Sequence, residues 1–230
     1  MAIQMSCGDD AVVVGPTSDQ GIPDLEWLNQ TLENSSSGGS MRTVTIVNPG
    51  NPTGVSLSRD YLQQVVDLCK QHGVWLILDC TYEYFTEPSL DHQPLATFTD
   101  SHVIHIFSFS KSYALAGYRC GYIVSSKDAE GLYANLLKVH DTIPIGPPPV
   151  SQVAALGALQ AGKQWVYEKY ATLDKSRELM LDALKPLTTM GGSGSMYLMA
   201  QLPASLELER EENHADEALD VASVLCQLAL

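Results

Sequence analysis

Two short runs of mainly apolar residues constrain the fold of this 230-residue chain more than any other feature of its sequence. Residues 74–78 read V-W-L-I-L, and residues 102–107 read H-V-I-H-I-F. A strand that is apolar on both faces is typical of a parallel sheet covered by helices on both sides. The two runs therefore predict an α/β fold with a mostly parallel sheet.

Further strands and helices are predicted to alternate with these two runs. Residues 11–14 and 41–47 are rich in β-branched side chains and predict two earlier strands, of which the first is expected to be buried. One helix is predicted to begin at residues 23–24, and a second runs from the N-cap residue Ser58 to Gly73. This alternation of strands and helices is the pattern of an α/β domain.

The second half of the chain is predicted to be mainly helical. Apolar periodicity predicts helices over residues 128–139, 150–160, 163–184 and 214–228. The small and apolar residues of 150–160 indicate a helix packed tightly on its neighbours. A strand is predicted over residues 196–202, and the glycine-rich residues 191–194 before it are interpreted as a hinge-like linker, because they lack the strand-before, helix-after setting of a phosphate loop.

Composition limits the classes of function. The formal net charge of −14 argues against non-specific binding to nucleic acids or anionic membranes, since both require a basic face. No run is apolar for long enough to span a bilayer, and residues 1–10 lack the basic and apolar parts of a signal peptide. Five cysteines without a C-x-x-C pair indicate a reducing compartment. We expect a cytoplasmic enzyme acting on small molecules, with an organelle address left open.

Three polar residues follow predicted strands, where ligands bind in open sheets of this class. They are Asn51, Asp79 and Lys111. A lysine amine that is desolvated near another cation loses its proton more easily, and it can then form a Schiff base with an aldehyde. The hydroxyls around Lys111 and the nearby Arg119 suit a phosphate group. His102 lies three residues before His105 on a predicted strand, so the two side chains face opposite sides, and no metal site is predicted.

Three motifs resemble those of one enzyme family and stand in that family's order. They read V-N-P-G-N-P-T-G at residues 47–54, D-C-T-Y at residues 79–82 and S-F-S-K-S-Y-A-L-A-G-Y-R-C-G at residues 108–121. The chain resembles the class I/II aminotransferases, which are fold-type I enzymes that use pyridoxal 5'-phosphate (PLP). The resemblance implies a three-layer large domain and part of a small α+β domain. The expected division is a PLP-binding large domain over residues 1–162, a bridging helix over 163–185 and a partial small domain over 186–230.

The resemblance also implies roles for residues at the cofactor ring. Lys111 would hold PLP as an aldimine and then act as the base that moves a proton. Asp79 would pair with the pyridinium nitrogen and raise its pKa. Tyr82 and Asn51 would bond the ring oxygen. Without the resemblance, Asp79 is equally well explained as a cap on the following turn, and Tyr82 as a half-buried core tyrosine.

For the cofactor phosphate, the resemblance implies contacts from Ser108 and Arg119, and more weakly from Ser110. The family's N-terminal phosphate loop and stacking aromatic have no match here, and only Arg210 follows the predicted small-domain strand where the family binds a substrate carboxylate. The chain therefore resembles the central portion of an aminotransferase.

The implied reaction moves an amino group between an amino acid and a 2-oxo acid, and the implied assembly is a homodimer. Two alternatives stay open at this point. The chain could be a non-catalytic or partner-dependent truncated remnant, or a PLP lyase or synthase of the same fold.

Overall fold

A mixed four-stranded sheet forms the centre of the protein in a computed structural model, which describes residues 8–35, 41–86, 98–127, 129, 131–192 and 194–202. Its strands are β1 (Thr43–Val47), β2 (Trp75–Asp79), β3 (Val103–Ser108) and β4 (Gly121–Ser125), in that spatial order. The β1–β2 and β2–β3 pairs are parallel, and β4 is antiparallel to β3. The predicted α/β fold with a mostly parallel sheet is confirmed.

Strands β1 and β2 end in register, and β3 extends past them by Phe107 and Ser108. Val47 lies opposite Asp79, and Asp79 lies opposite Ile106. The ladder continues past the strands, because Asn48 donates its backbone N–H to the Asp79 carbonyl at 3.0 Å and Cys80 donates to Ile106 at 2.8 Å. The chain segments that leave the strands are therefore brought to one edge of the sheet.

One helix precedes β1 and a second connects β1 to β2, and both begin with side-chain caps. Helix α1 (Leu25–Ser35) starts where the Asp24 carboxylate accepts from the backbone of Trp27, at 3.0 Å. Helix α2 (Arg59–Gln71) starts where the Ser58 hydroxyl accepts from the backbone of Tyr61, at 3.2 Å. Such a cap satisfies an N–H group that has no partner within the helix. Both predicted helix starts agree with the structure.

The apolar stripe of α2 packs against the sheet. The buried residues shared by helix and strands include Leu62, Val65, Val66, Cys69, Leu76 and Leu78. Burying a leucine or valine side chain completely contributes about 1.5–3 kcal/mol relative to leaving it in water. This one cluster holds β1, β2 and β3 side by side and so fixes the edge at which their carboxyl ends meet.

The strand expected over residues 11–14 is wrong. A 3₁₀ turn occupies Asp9–Ala11, and the side chains of Val13 and Val14 are 60% and 85% exposed. Within the described residues no strand pairs with this segment, and the only bridge nearby joins Thr17 to Pro23. β-branched residues favour a strand only where a neighbouring strand supplies the hydrogen bonds and the packing.

The helical second half is confirmed in outline. It contains α3 (Leu132–Thr142), α4 (Pro149–Ala171) and α5 (Asp174–Ala183). Gly162 breaks α4 with φ 77° and ψ 173°, which agrees with the predicted gap between residues 160 and 163. The pattern expected to be one helix over residues 163–184 is interrupted at Thr172 and Leu173. The domain boundary after residue 162 stays a prediction, and the break at Gly162 is consistent with it.

Tight packing of residues 150–160 on neighbouring elements is a wrong prediction for one face of the helix. Val150, Val153, Leu156 and Leu159 are between 52% and 70% exposed, whereas Ser151 and Ala155 are buried. Small residues face the protein and larger apolar residues face outward.

A second, two-stranded antiparallel sheet pairs β5 (Thr188–Met190) with β6 (Met199–Gln201). β6 lies within the strand predicted over residues 196–202, whereas β5 was not predicted. The helix predicted over residues 214–228 lies outside the described residues, as does Arg210. None of the helices in the described part of the chain is long and apolar enough to cross a membrane.

Candidate active site

The turn after β1 is closed by its own backbone and by a buried asparagine. Gly50 donates to the Val55 carbonyl at 2.8 Å, and Gly54 donates to the Gly50 carbonyl at 3.0 Å. The Asn48 side chain is 2% exposed and accepts from the backbone of Leu57 at 2.8 Å. These bonds fix the residue between them, Asn51, at the carboxyl end of β1.

Asp79 is the last residue of β2, and its carboxylate is fixed by the following turn. Its Oδ1 accepts from the backbone N–H of Thr81 at 3.0 Å and from the Thr81 hydroxyl at 2.6 Å. Turn capping, which the sequence alone left as an alternative, is therefore present. It occupies only one oxygen, and no described residue donates to Oδ2. The carboxylate can cap the turn and still accept a hydrogen bond from a ligand.

A cluster of hydroxyl and amide groups joins three segments of the chain. Asn51 donates from Nδ2 to the Tyr82 hydroxyl at 3.3 Å, and the hydroxyls of Tyr82 and Tyr197 lie 2.7 Å apart. Burial raises the pKa of the Tyr82 phenol above its ordinary value. The structure thus brings the predicted pair Asn51 and Tyr82 together and adds Tyr197, which the sequence analysis missed.

The loop after β3 carries Lys111 and is closed at its base. Phe109 donates its N–H to the Cys120 carbonyl at 3.2 Å and accepts at its own carbonyl from Leu115 at 3.2 Å. Lys111 is half-buried. No hydrogen bond or ion pair reaches its amine from the described residues. The amine is thus held near the sheet edge without an internal partner.

The loop is also anchored by aromatic packing. Phe109 and Tyr113 form a buried cluster with Ala155 and Val166 of α4. The ring of Tyr113 stacks on that of Trp165 at 6.4 Å between centroids with 7° between planes. The lysine loop therefore keeps a fixed position relative to α4.

Two of the residues predicted to bind the phosphate lie on different segments: Ser108 ends β3, and Arg119 lies just before β4. The Ser108 hydroxyl accepts from the backbone of Ser110 at 3.1 Å, which leaves the Ser108 proton available for donation. Arg119 is exposed, adopts a left-handed conformation with φ 51° and donates from Nη1 to the Ala116 carbonyl at 3.0 Å. Both positions supply hydrogen-bond donors, as an anion requires.

The residues present fit PLP on the chemistry of their donor groups. Beside Lys111, the Ser112 hydroxyl is buried and has no hydrogen-bond partner among the described residues. A buried hydroxyl without a partner is costly unless a ligand or water satisfies it. A pyridine aldehyde phosphate would need an amine, a carboxylate, a phenol and several hydroxyl donors. The site supplies an amine without a partner in the described part of the chain, a carboxylate with one oxygen still able to accept, a phenol bonded to an amide, and serine hydroxyls.

The glycines of the segment interpreted from the sequence as a hinge-like linker are bonded to the turn after β1. Gly192 donates to the Thr53 carbonyl at 3.0 Å, and Gly194 donates to the Gly54 carbonyl at 2.7 Å. The Arg177 guanidinium in turn donates to the Gly192 carbonyl. Side chains would block this contact, because a Cβ on Gly191 would lie 1.9 Å from the Thr53 carbonyl oxygen. Residue 193 lies outside the described residues.

Next to Tyr82, the Glu83 carboxyl is desolvated. Burial raises its pKa to about 7, and a hydrogen bond with Tyr84 opposes part of this rise. Glu87 and His92, which the sequence placed in no recognisable triad with Glu83, lie outside the described residues. Cys80 is 1% exposed, and burial raises the pKa of its thiol, so it fills space in the core.

Comparison with known proteins agrees with this geometry. The sequence model of the family described as aminotransferase class I and II matches residues 8–227. The chain is 40% identical over 221 residues to the aromatic aminotransferase ISS1 of Arabidopsis thaliana, an alignment that covers 94% of this chain and 52% of that protein.

Two solved structures share the fold. The probable N-succinyldiaminopimelate aminotransferase from Thermus thermophilus has a TM-score of 0.69 at 28% identity, over 84% of this chain and 51% of that one. A double mutant of the aspartate aminotransferase from the same organism has a TM-score of 0.69 at 22% identity, over 82% and 49%. The chain spans about half the length of the curated relatives and solved structures named here.

Gly191→Ala is expected to destabilise the protein. The new Cβ would meet the Thr53 carbonyl oxygen, and φ at this position is +98°. The expected loss is about 1–3 kcal/mol in the free energy of unfolding, measured in urea. Gly157→Ala is the matched control, because its Cβ meets nothing within 4 Å and glycine weakens a helix interior. Equal stability of the two variants would contradict the described contact.

Glu83→Gln is expected to change the pH dependence of stability. The folded pKa of Glu83 is raised from its ordinary value of 4.5 to about 7, so the folded state binds more protons in that window and loses stability as pH rises through it. Relative to wild type, Glu83→Gln should gain about 1–2 kcal/mol more at pH 8 than at pH 5, after allowance for partial exposure. Urea unfolding at both pH values measures this difference. Glu178→Gln on the exposed surface of α5 should show none.

Proposed function

Because the chain belongs to the class I and II aminotransferases, we propose that it moves an amino group between an amino acid and a 2-oxo acid with pyridoxal 5'-phosphate as its cofactor. One observation carries the proposal. Strands β1, β2 and β3 are parallel neighbours, so Asn51, Asp79 and Lys111, at or after their carboxyl ends, lie on one side of the sheet. An enzyme that uses PLP needs an amine, a carboxylate and hydrogen-bond donors at one such place.

Lys111 is assigned the central role. Its amine would bind the aldehyde carbon of the cofactor and, once displaced by an incoming amino group, would move a proton as a general base. PLP supplies an electron sink for this chemistry when it is bound. Support comes from the position of Lys111, which is half-buried and has no internal partner in the described part of the chain. The amine can therefore act without first breaking an ion pair.

Asp79 would hold the pyridine nitrogen in its protonated state. A carboxylate beside that nitrogen raises its pKa and keeps the ring positively charged. The two hydrogen bonds from Thr81 to Oδ1 fix the orientation of the carboxylate and leave Oδ2 for the ring. Thr81 therefore supports the site through Asp79.

The remaining site residues would hold the two anionic ends of the cofactor. Asn51 and Tyr82 already share a hydrogen bond of 3.3 Å and would bond the ring oxygen. Ser108, Ser110 and Arg119 would bind the phosphate, with the exposed guanidinium of Arg119 suited to a bidentate contact. The 40% identity with a relative named an aromatic aminotransferase makes an aromatic amino acid the first donor to test.

We also propose a reducing, cytoplasmic location. The described cysteines Cys69, Cys80 and Cys120 are all free, and two of them are buried. Free cysteines of this kind are typical of compartments in which disulfides do not persist.

Lys111 is expected to carry the cofactor in a trapping experiment. After incubation with PLP and borohydride reduction, peptide mapping should find the pyridoxyl group on Lys111, and Lys111→Ala should lose it. Lys138→Ala, at an exposed position of α3, should keep the label. A pyridoxyl group on a different lysine, with none on Lys111, would refute the assignment.

A homodimer is expected in solution. The outward face of α4 carries Val150, Val153, Leu156 and Leu159 in an exposed row, and a second copy of the chain would remove such a surface from water. Light scattering should give about twice the chain mass of 25.0 kDa. Val153→Glu should shift the equilibrium toward the monomer, whereas Leu179→Glu on exposed α5 should not. A stable wild-type monomer at high concentration would contradict this expectation.

A further inference from the structure

Tyr197 precedes β6 and reaches into the candidate site from the small sheet. Its hydroxyl lies 2.7 Å from that of Tyr82, and the two rings meet edge to face at 5.6 Å between centroids and 77° between planes. No other described residue bonds its hydroxyl. Tyr82 is therefore the one partner for the Tyr197 proton within the described part of the chain.

The donors and acceptors around Tyr82 can be counted. A phenol has one proton to donate and two lone pairs that accept. Asn51 uses one lone pair, because its Nδ2 can only donate. If Tyr197 donates into the second lone pair, the proton of Tyr82 is left for a third atom. If Tyr82 donates to Tyr197 instead, its proton is engaged within the protein and a ligand oxygen receives none.

We propose that Tyr197 is a positioning residue, whose hydroxyl donates to Tyr82 and thereby directs the Tyr82 proton toward the anionic ring oxygen of the cofactor. This inference rests on the proposed function, since it requires PLP beside Tyr82. It adds a residue that the three sequence motifs do not contain. Tyr197 acts through Tyr82 and has no contact of its own with the reacting atoms.

The backbone holds Tyr197 in this place. Gly192 and Gly194 are bonded to the carbonyls of Thr53 and Gly54, in the same turn that carries Asn51. Ser195 donates to the Phe85 carbonyl at 2.7 Å, three residues after Tyr82. Both partners of Tyr82 are thus tied to one rigid frame, which limits how far the Tyr197 hydroxyl can move.

The expected effect can be measured on the bound cofactor without an activity assay. Donation from Tyr82 stabilises negative charge on the ring oxygen, which lowers the pH midpoint of the visible absorbance formed with PLP. Without the Tyr197 hydroxyl, the Tyr82 hydroxyl can rotate, and its proton is no longer directed toward the ring oxygen. Tyr197→Phe should therefore raise the midpoint and weaken PLP binding roughly threefold to tenfold, as expected for one hydrogen bond.

The experiment is a double-mutant cycle on the full chain. The PLP dissociation constant and the pH midpoint are measured for wild type, Tyr82→Phe, Tyr197→Phe and the double variant. Tyr197→Phe should shift both quantities in the same direction as Tyr82→Phe, and it should add nothing once Tyr82 is phenylalanine. Tyr133→Phe, at a side chain that is 73% exposed, should match wild type. Equal effects of Tyr197→Phe in both backgrounds, or no effect in either, would overturn the inference.

Two further measurements separate the possible failures. Borohydride trapping on the wild-type preparation tests the proposed function by itself, and absence of label from Lys111 would overturn both proposals. Label on Lys111 together with an unchanged Tyr197→Phe variant would overturn this inference alone. If Tyr197→Phe does not fold, 3-fluorotyrosine at position 197 keeps the ring shape and donates more strongly. It should lower the pH midpoint, and an unchanged midpoint would again refute the role of Tyr197.

Discussion

The parallel ladder that continues past the ends of β1 and β2 is the constraint on which the candidate site depends. The bonds from Asn48 to Asp79 and from Cys80 to Ile106 tie the residues that follow β1 and β2 to the neighbouring strand before the chain turns away. Backbone bonds of this kind have fixed lengths, so they set the spacing of the side chains that follow. The buried face of α2 contributes by keeping the strands in this register.

A second constraint connects the small sheet to the same edge. Gly192 and Gly194 contact Thr53 and Gly54 through backbone hydrogen bonds, and the glycines at 54, 191, 192 and 194 allow the two segments to approach. A side chain at these positions would separate them. The segment before β6 therefore takes part in the site through Tyr197.

The extent to which the sequence predicts the structure follows from how local each signal is. The apolar run at residues 74–78 predicts β2 to within one residue, because apolar side chains favour burial in a sheet. Ser58 caps its helix through the backbone of Tyr61, three residues away. The strand predicted at residues 11–14 does not form, because a strand there would need hydrogen bonds from a partner strand elsewhere in the chain. Strand β5 was not predicted, because its three residues are too few to show the alternation of apolar and polar side chains that indicates a strand. Nothing in the local sequence M-Y-L around Tyr197 indicates that its hydroxyl meets Tyr82, since that contact depends on glycines docking far along the chain.

The hydroxyl cluster at Tyr82 combines contacts of very different sequence separation. The bond from Asn51 closes a loop of 31 residues, whereas the contact with Tyr197 spans 115. Closing the longer loop costs about 1 kcal/mol more in chain entropy by the logarithmic dependence on length. Contacts of large sequence separation form slowly for this reason. The bond between Asn51 and Tyr82 thus needs only the large sheet and its turns, whereas the contact between Tyr82 and Tyr197 also needs the segment before β6 to be in place.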